Sequence, residues 1–193
     1  LSISLGSAET TLLKLTSAYC SFVNGGKLVN PKLIDRIQDS EGNTIFKTED
    51  RYCENCKNIS FLSDEVPMIK DNFKQIFSAQ TAYQITSILE GATKRGTAKK
   101  LKDLNLDLAG KTGTTNKNTD TWFIGFSSNY VIGVYVGYDD PSSLGRYETG
   151  ARTAMPIFKK FVKNTVKKDS ARPFKIPQGI RMLVVNSNTG ERA

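Results

Sequence analysis

Residues 111–115 read Lys-Thr-Gly-Thr-Thr, which combines a cation, hydroxyl groups and an unhindered backbone position. Thr112 and Thr114 are two residues apart, so on a β-strand their hydroxyl groups face the same side. Gly113 has no side chain, and a ligand can approach the main chain closely there. Lys111 supplies a positive charge at the rim. These residue types at this spacing predict a site for an extended, anionic ligand, and Thr115 belongs to the same predicted site.

Three predicted strands position this run. Apolar segments separated by tight polar connections predict strands over residues 108–114, 121–126 and 131–138, joined as an antiparallel meander. The Lys-Thr-Gly run then lies on an edge strand, with its backbone turned toward a cleft. The acidic pair Asp139-Asp140, which follows the last strand, suits a turn better than a metal site.

Three helices are predicted to pack against this sheet, over residues 9–23, from the Ser78 cap to about residue 92, and over 153–166. The third helix is the most amphipathic and is expected to lie across the sheet. The whole pattern predicts the α+β class, an antiparallel sheet packed by helices. The residues predicted to face the core are Leu12, Leu15, Tyr19 and Phe22; Ala82, Ile85, Ile88 or Leu89 and Ala92; and Ala154, Ile157, Phe158, Phe161, Val162 and Thr165.

The remaining segments are predicted to be peripheral. Residues 32–37 and 44–46 suit a small surface hairpin, and residues 47–77 are polar and are expected to be irregular. The basic stretch 94–100 is interpreted first as a surface loop and second as a contact to substrate at the rim. Residues 180–186 are expected to add one last strand.

Positive charge is concentrated at one end of the chain. Residues 1–150 hold 17 basic and 17 acidic side chains, whereas residues 151–193 hold 10 and 2 and account for the net charge of +8. The preferred interpretation of this basic end is a solvated helix face, ahead of attraction to an anionic membrane or envelope surface. Aromatic residues are not interleaved with the lysines as single-strand binding requires, so no nucleic-acid partner is expected. The lysines on the predicted helix are Lys159, Lys160, Lys163, Lys167 and Lys168.

The chain has no histidine and three cysteines. Catalysis by Ser-His-Asp or Cys-His within these residues is therefore excluded, and a base must be lysine or a carboxylate. Cys53 and Cys56 form a lone Cys-x-x-Cys pair, which together with Cys20 is too small for a zinc site. Free thiols on a loop are favoured over a local disulfide, and redox catalysis is the least favoured interpretation.

The extended string around the Lys-Thr-Gly tripeptide carries a family resemblance. Lys111-Thr112-Gly113-Thr114-Thr115-Asn116, followed by Asp120-x-Trp122-Phe123-Ile124-Gly125-Phe126, resembles the transpeptidase domain of bifunctional, class A penicillin-binding proteins. The similarity continues in the manner of the 1A type over residues 4–26, 95–98, 134–139, 144–146 and 154–158. It implies a penicillin-binding transpeptidase or serine β-lactamase-like fold.

The resemblance also implies a reaction, in which a serine attacks the D-Ala-D-Ala end of a peptidoglycan stem peptide and passes the acyl group to a neighbouring stem. Lys111 and Thr114 would be catalytic, the latter through its backbone N–H in the oxyanion hole. Thr112, Gly113, Thr114 and Thr115 would bind the substrate or a β-lactam. No metal or organic cofactor is implied.

Two motifs of that family are missing. No serine is followed three residues later by lysine, and the only Ser-x-Asn string, Ser127-Ser128-Asn129, falls where a turn is expected. The chain is therefore expected to be a fragment, inactive alone, with residues 1–171 from the transpeptidase domain and 172–193 as an extension. The rest of the parent protein would be its partner and would supply an anchor in the inner membrane, on whose periplasmic face the domain would lie.

Three other interpretations compete with this one. A phosphate-binding loop matches Gly110-Lys111-Thr112 but lacks the first glycine, since residue 105 is Asn, and lacks the following helix. A serine β-lactamase or D,D-carboxypeptidase relative fits the continuation after the tripeptide less well. A non-catalytic ligand-binding or interaction module describes the isolated chain best.

Overall fold

A computed structural model describes residues 8–48, 51–54, 56, 66–166, 172–186 and 188–192. Its helices are α1 (Leu12–Val23), α2 (Ala79–Lys94) and α3 (Ala154–Thr165), with a 3-10 helix over Lys99–Leu104. Its strands are β1 (Arg36–Gln38), β2 (Thr44–Lys47), β3 (Arg51–Cys53), β4 (Ile69–Asp71), β5 (Ala109–Thr114), β6 (Asp120–Phe126) and β7 (Val131–Gly137). The mixture of helices and antiparallel strands confirms the predicted α+β class.

The central sheet has three antiparallel strands in the order β5-β6-β7. The register pairs Ala109 with Phe126 at one end of β5 and Thr114 with Thr121 at the other. Each strand begins and ends within one residue of the predicted bounds, and the meander is confirmed. β5, which carries the Lys-Thr-Gly run, is an edge strand of this sheet.

Helices cover both faces of the sheet. On one face, the ring of Phe123 from β6 meets that of Phe158 from α3 edge to face, with ring centroids 4.9 Å apart. On the other face α1 crosses β7, where a side chain at Gly133 would overlap Thr16 and Leu12. The buried cluster under α3 also includes Leu101 and Leu104 from the 3-10 helix, and Leu108 just before β5. This core supports β5 on one face of the sheet, and β6 pairs with it on the side opposite to its free edge.

Helix α2 follows the prediction at its start, and the structure decides between two alternative core residues. The side chain of Ser78 accepts a hydrogen bond from the Thr81 N–H, which is the predicted N-cap. Ala82 is fully buried, and of the two predicted alternatives Ile88 is 69% exposed, whereas Leu89 is half-buried and faces the core. α1 begins at Leu12 instead of residue 9, because the Thr11 side chain caps it by accepting from the Lys14 N–H.

The apolar face of α3 is narrower than predicted. Ala154, Phe158 and Val162 are buried at i, i+4 spacing, whereas Ile157 and Phe161 are half-exposed. The prediction that these two residues face the core is therefore wrong. Successive residues of a helix are turned by about 100° around its axis, and a sheet of three strands contacts only part of that circumference. Ile157 and Phe161 therefore lie outside the part of α3 that contacts the sheet.

The peripheral segments contain two small hairpins. The predicted hairpin is confirmed as β1 pairing with β2, although β1 begins at Arg36. The prediction that residues 47–77 are irregular is wrong where β3 pairs with β4. Cys53 and Cys56 form a disulfide instead of the favoured free thiols, since their Cα atoms lie 5.5 Å apart, within bonding range.

The C-terminal segment returns across the end of the sheet. The Phe174 ring packs edge to face on Phe126, with centroids 5.7 Å apart, and Gln80 Nε2 donates to the Gln178 carbonyl at 2.8 Å. The predicted strand over residues 180–186 is wrong for the described residues, which show only an isolated bridge between Val185 and Arg192. That stretch finds no neighbouring strand with which to form a ladder.

Candidate functional site

The free edge of β5 presents backbone groups of alternate residues. The Thr115 N–H donates to the Asp120 carbonyl at 3.0 Å, so Thr115 faces β6. Since hydrogen-bonding direction alternates along an antiparallel strand, Gly113 and Lys111 also face β6, and Thr112 and Thr114 face outward. Within the described residues, β6 is the only strand that pairs with β5. The N–H and C=O groups of Thr112 and Thr114 thus point away from β6, on the side where an extended ligand would pair.

Two threonine hydroxyls lie on one face of this edge, as the spacing predicts. Thr112 Oγ1 lies 3.4 Å from Thr97 Oγ1. Thr114 Oγ1 accepts a hydrogen bond from the Gly150 N–H at 3.1 Å. The Thr97 contact places the basic stretch of residues 94–100 directly beside the edge. The sequence alone favours a surface loop for this stretch over a contact at the rim.

The ammonium group of Lys111 folds along the edge. It is exposed, and Nζ donates to the outward-facing carbonyl of Thr112 at 2.8 Å. Lys111, Thr112, Gly113 and Thr114 are therefore brought together at one edge. A formal positive charge beside two hydroxyls and outward amides suits a carboxylate ligand.

Thr115 is placed differently from its neighbours. Its hydroxyl lies 2.8 Å from Thr119 Oγ1 and 3.3 Å from Asp120 Oδ2. The Asp120 N–H donates back to Thr115 Oγ1 at 2.8 Å. The Thr115 side chain therefore fixes the connection between β5 and β6.

Sequence reasoning missed the partner of Asp120. The Tyr135 hydroxyl, on β7, donates to Asp120 Oδ1 at 2.7 Å, and its ring packs on Trp122 with centroids 4.8 Å apart. The hydrogen bond from Tyr135 holds the pKa of Asp120 below its ordinary value; partial burial opposes this effect, and Thr119 and Thr115 add to it. No local sequence pattern indicates the Asp120–Tyr135 pair, because its two residues lie on different strands. The contact fixes the Thr114 end of the sheet.

We expect Tyr135→Phe to lower the unfolding free energy by about 1 kcal/mol at pH 7, since the lost hydrogen bond is charged but solvent-exposed. A lowered folded-state pKa gives stability that is present above the unfolded value, near 3.9, and is lost as the pH falls through the folded value. The difference between Tyr135→Phe and the wild type should therefore shrink below about pH 4. Urea unfolding between pH 2 and 7 measures it.

Tyr138→Phe is the control for this experiment, since Tyr138 is also exposed and lies just beyond the end of β7. It should leave stability unchanged at every pH. If the difference in unfolding free energy between Tyr135→Phe and the wild type stays constant down to pH 2, the lost hydrogen bond does not depend on the charge of Asp120.

A second loop is joined to the β5–β6 connection. Asn118 Nδ2 donates to the carbonyls of Gly145 and Arg146, both at 2.9 Å, and the Leu144 N–H donates to the Asn118 carbonyl at 2.8 Å. Asn118 adopts a φ of 54°, in the left-handed region that asparagine tolerates. Residues 144–150 thus form a wall beside the Thr114 end of the edge.

The remaining candidates lie away from the edge. Ser127-Ser128-Asn129 forms the predicted turn between β6 and β7, where Ser127 Oγ accepts from the Asn129 N–H at 3.2 Å. This turn is at the end of the sheet opposite to Thr114. Asp139 and Asp140 are exposed in a bend, and no cluster of three or more potential metal ligands occurs in the part of the chain that the structure describes. Over the same residues no helix is both long and apolar enough to span a membrane.

Comparison with known proteins gives concordant matches. A family model for the penicillin binding protein transpeptidase domain matches residues 1–163. The penicillin-binding proteins 1A of Rickettsia conorii and Neisseria flavescens are 42% and 35% identical to this chain, over 98% and 93% of its length. The crystal structure of penicillin-binding protein 1A from Haemophilus influenzae superposes with a TM-score of 0.82 at 31% identity, covering 100% of this chain and 32% of that one. The chain spans 24% and 21% of the two curated relatives.

Proposed function

Because this chain belongs to the penicillin-binding protein transpeptidase family, we propose that it forms the substrate-binding edge of a serine-type peptidoglycan D,D-transpeptidase. The observation that carries the proposal is the outward-facing edge of β5, where Lys111, Thr112 and Thr114 converge. Its ligand is the D-Ala-D-Ala end of a stem peptide, or a β-lactam in its place.

The ligand binds by adding a strand to β5. Its backbone pairs with the outward N–H and C=O groups of Thr112 and Thr114, on either side of Gly113. Its terminal carboxylate accepts hydrogen bonds from the two threonine hydroxyls and is attracted by the Lys111 ammonium. Thr115 contributes by holding the end of the strand in place.

The reaction is acyl transfer. A serine hydroxyl attacks the carbonyl carbon of the penultimate D-alanine, the peptide bond to the last residue breaks, and D-alanine leaves with the proton on its amine. The acyl group then passes to the amine of a neighbouring stem, which restores the serine. The Thr114 N–H stabilises the oxyanion, and losing one such donor typically costs ~2.7–4 kcal/mol. Lys111 assists the movement of protons.

The serine of this mechanism comes from outside the 193 residues, which contain no Ser-x-x-Lys string. We propose that the residues act within a longer polypeptide, referred to below as the full-length protein. That polypeptide also holds an anchor in the inner membrane, and the transpeptidase domain lies on the periplasmic face of that membrane. Residues 1–171 belong to the transpeptidase domain, and residues 172–193 form an extension with no assigned chemistry.

Labelling with a fluorescent penicillin tests the proposal. The full-length protein should be labelled in a single covalent adduct, and the adduct should map by mass spectrometry to a serine outside these residues. The 193-residue chain alone should not be labelled. An adduct on any serine of residues 1–193, or no labelling of the full-length protein, would contradict the mechanism.

Two alternatives give different results in the same experiment. A non-catalytic binding module would bind penicillin reversibly and would never form an adduct. A β-lactamase relative would form an adduct with penicillin that water rapidly removes, whereas a D,D-carboxypeptidase relative would release D-alanine from the stem peptide without joining two stems. Product analysis with a paired donor and acceptor peptide separates these outcomes.

A further inference from the structure

The peptide unit of Gly150 makes an unusually close contact with the site strand. Gly150 is buried, and its N–H donates to Thr114 Oγ1 at 3.1 Å. A Cβ atom added to Gly150 would overlap the Trp122 carbonyl oxygen and would lie 2.7 Å from the Gly113 carbonyl oxygen. These are backbone atoms of the β5–β6 pair, so they cannot move aside as a flexible side chain would. Only glycine allows the amide to approach Thr114 at this point.

The segment that carries Gly150 is held on the sheet by further hydrogen bonds. Thr153 Oγ1 lies 2.6 Å from Thr121 Oγ1, and Thr121 is the cross-strand partner of Thr114. The Gly150 carbonyl accepts from the Met155 N–H at 2.8 Å, in the first turn of α3. The amide is therefore fixed relative to both the sheet and the helix.

The contact with Gly150 also determines which hydrogen bonds the Thr114 hydroxyl can still form. A threonine oxygen has two acceptor lone pairs and one O–H donor. One lone pair receives the Gly150 N–H, so the O–H bond is directed away from Gly150. The Thr114 hydroxyl is thereby set up as a donor to a ligand on the free edge.

We propose that Gly150 is a positioning residue that determines specificity for a carboxylate at the Thr114 end of the site. The inference rests on the proposed function, because it assumes that the ligand carboxylate binds there. Gly150 does not touch the ligand; it acts through the Thr114 hydroxyl. A neutral ester in place of the carboxylate gains less from a fixed donor than a charged group does.

The test compares a penicillin with its methyl ester as acylating agents of the full-length protein. The measured quantity is the ratio of the two second-order acylation rates, which reports preference for the free carboxylate. Gly150→Ala should lower this ratio at least about tenfold, the size expected for loss of a hydrogen bond to a charged group. Thr114→Val should lower it similarly, and Thr114→Ser, which keeps the hydroxyl, should retain it. The double variant Gly150→Ala/Thr114→Val should lower it no further than either change alone.

A purely structural role for Gly150 would slow both acylations equally and leave the ratio unchanged, which would overturn the inference. Gly91→Ala is the matched control, since an added Cβ on α2 meets only the flexible side chain of Arg95. If Gly150→Ala fails to fold, Thr153→Val replaces it in the test. This change loosens the same segment without adding an atom between Gly150 and the β5–β6 backbone. A lowered ratio in Thr153→Val would support the inference, and an unchanged ratio would overturn it.

Failure of the proposed function gives a different result. If the carboxylate does not bind at this edge, Thr114→Val will leave the ratio unchanged in a protein that is still acylated. If the full-length protein is not acylated at all, the transpeptidase proposal fails first. A normal effect of Thr114→Val with no effect of Gly150→Ala or Thr153→Val contradicts the inference about Gly150 alone.

Discussion

Replacing Lys111 by alanine is expected to slow acylation of the full-length protein by a penicillin about 10²- to 10⁴-fold, the contribution of a positioned proton-transfer group. The ammonium lies at the free edge of β5, with Nζ 2.8 Å from the Thr112 carbonyl. Under the proposed function, this ammonium attracts the ligand carboxylate and assists proton transfer to and from the attacking hydroxyl. Stopped-flow or gel-based measurement of the second-order acylation rate checks the expectation.

Two further variants separate the effect of the Lys111 charge from the effect of its transferable proton. Lys163→Ala removes the same charge from an exposed position on α3 and should leave the acylation rate unchanged. Lys111→Arg keeps the charge but cannot give up a proton, so it should restore ligand affinity without restoring the rate. An acylation rate for Lys111→Ala within twofold of the wild type would refute the role of this residue.

Phe158→Ala is expected to cause the largest loss of stability, about 3–5 kcal/mol in the free energy of unfolding. Its ring is fully buried and packs edge to face on Phe123, with centroids 4.9 Å apart. The neighbouring Gly125 leaves the space that the ring fills, since a Cβ there would lie 2.6 Å from it. For a chain of this size the melting temperature should fall by roughly 10 °C or more. Urea and thermal unfolding of the 193-residue chain measure both quantities.

Phe161→Ala provides the comparison on the same helix. Phe161 is 49% exposed, so truncating it should cost less than about 1 kcal/mol. Similar losses for the two variants would mean that the face of α3 against the sheet is assigned incorrectly.

The sequence predicted the central sheet well, because the information it needs is local. Each strand of the β5–β7 meander has its own run of β-favouring residues, and short polar connections leave no other pairing within reach. The Ser78 cap likewise lies within three residues of the amide it binds. Patterns of this kind are complete within a dozen residues.

What the sequence could not predict depends on contacts between distant residues. The β3–β4 hairpin pairs Arg51 with Asp71, and its connection is too long for a local turn pattern to reveal the pairing. The orientation of α3, which leaves Ile157 exposed, depends on how wide a sheet it covers. The Cys-x-x-Cys spacing fits both thiols and a disulfide, and only the folded backbone distinguishes them.

The candidate site likewise has a part that the sequence predicts and a part that it does not. The Lys-Thr-Gly-Thr run and its alternation on an edge strand followed from residue types and the period of a strand. The Thr114–Gly150 and Asp120–Tyr135 contacts join residues 36 and 15 positions apart, so no local pattern reveals them. The edge-strand arrangement of the proposed site was therefore predictable, while the contacts that support it were not.

The exposed edge of β5 has a consequence for behaviour in concentrated solution. A sheet edge that can accept a peptide strand can also accept the same edge of another copy, which leads to oligomers and aggregation. A lysine on such an edge disfavours this pairing, because two copies in register would bring like charges together. The charge of Lys111 therefore disfavours self-association through this edge, while the same charge suits the anionic peptide of the proposed function.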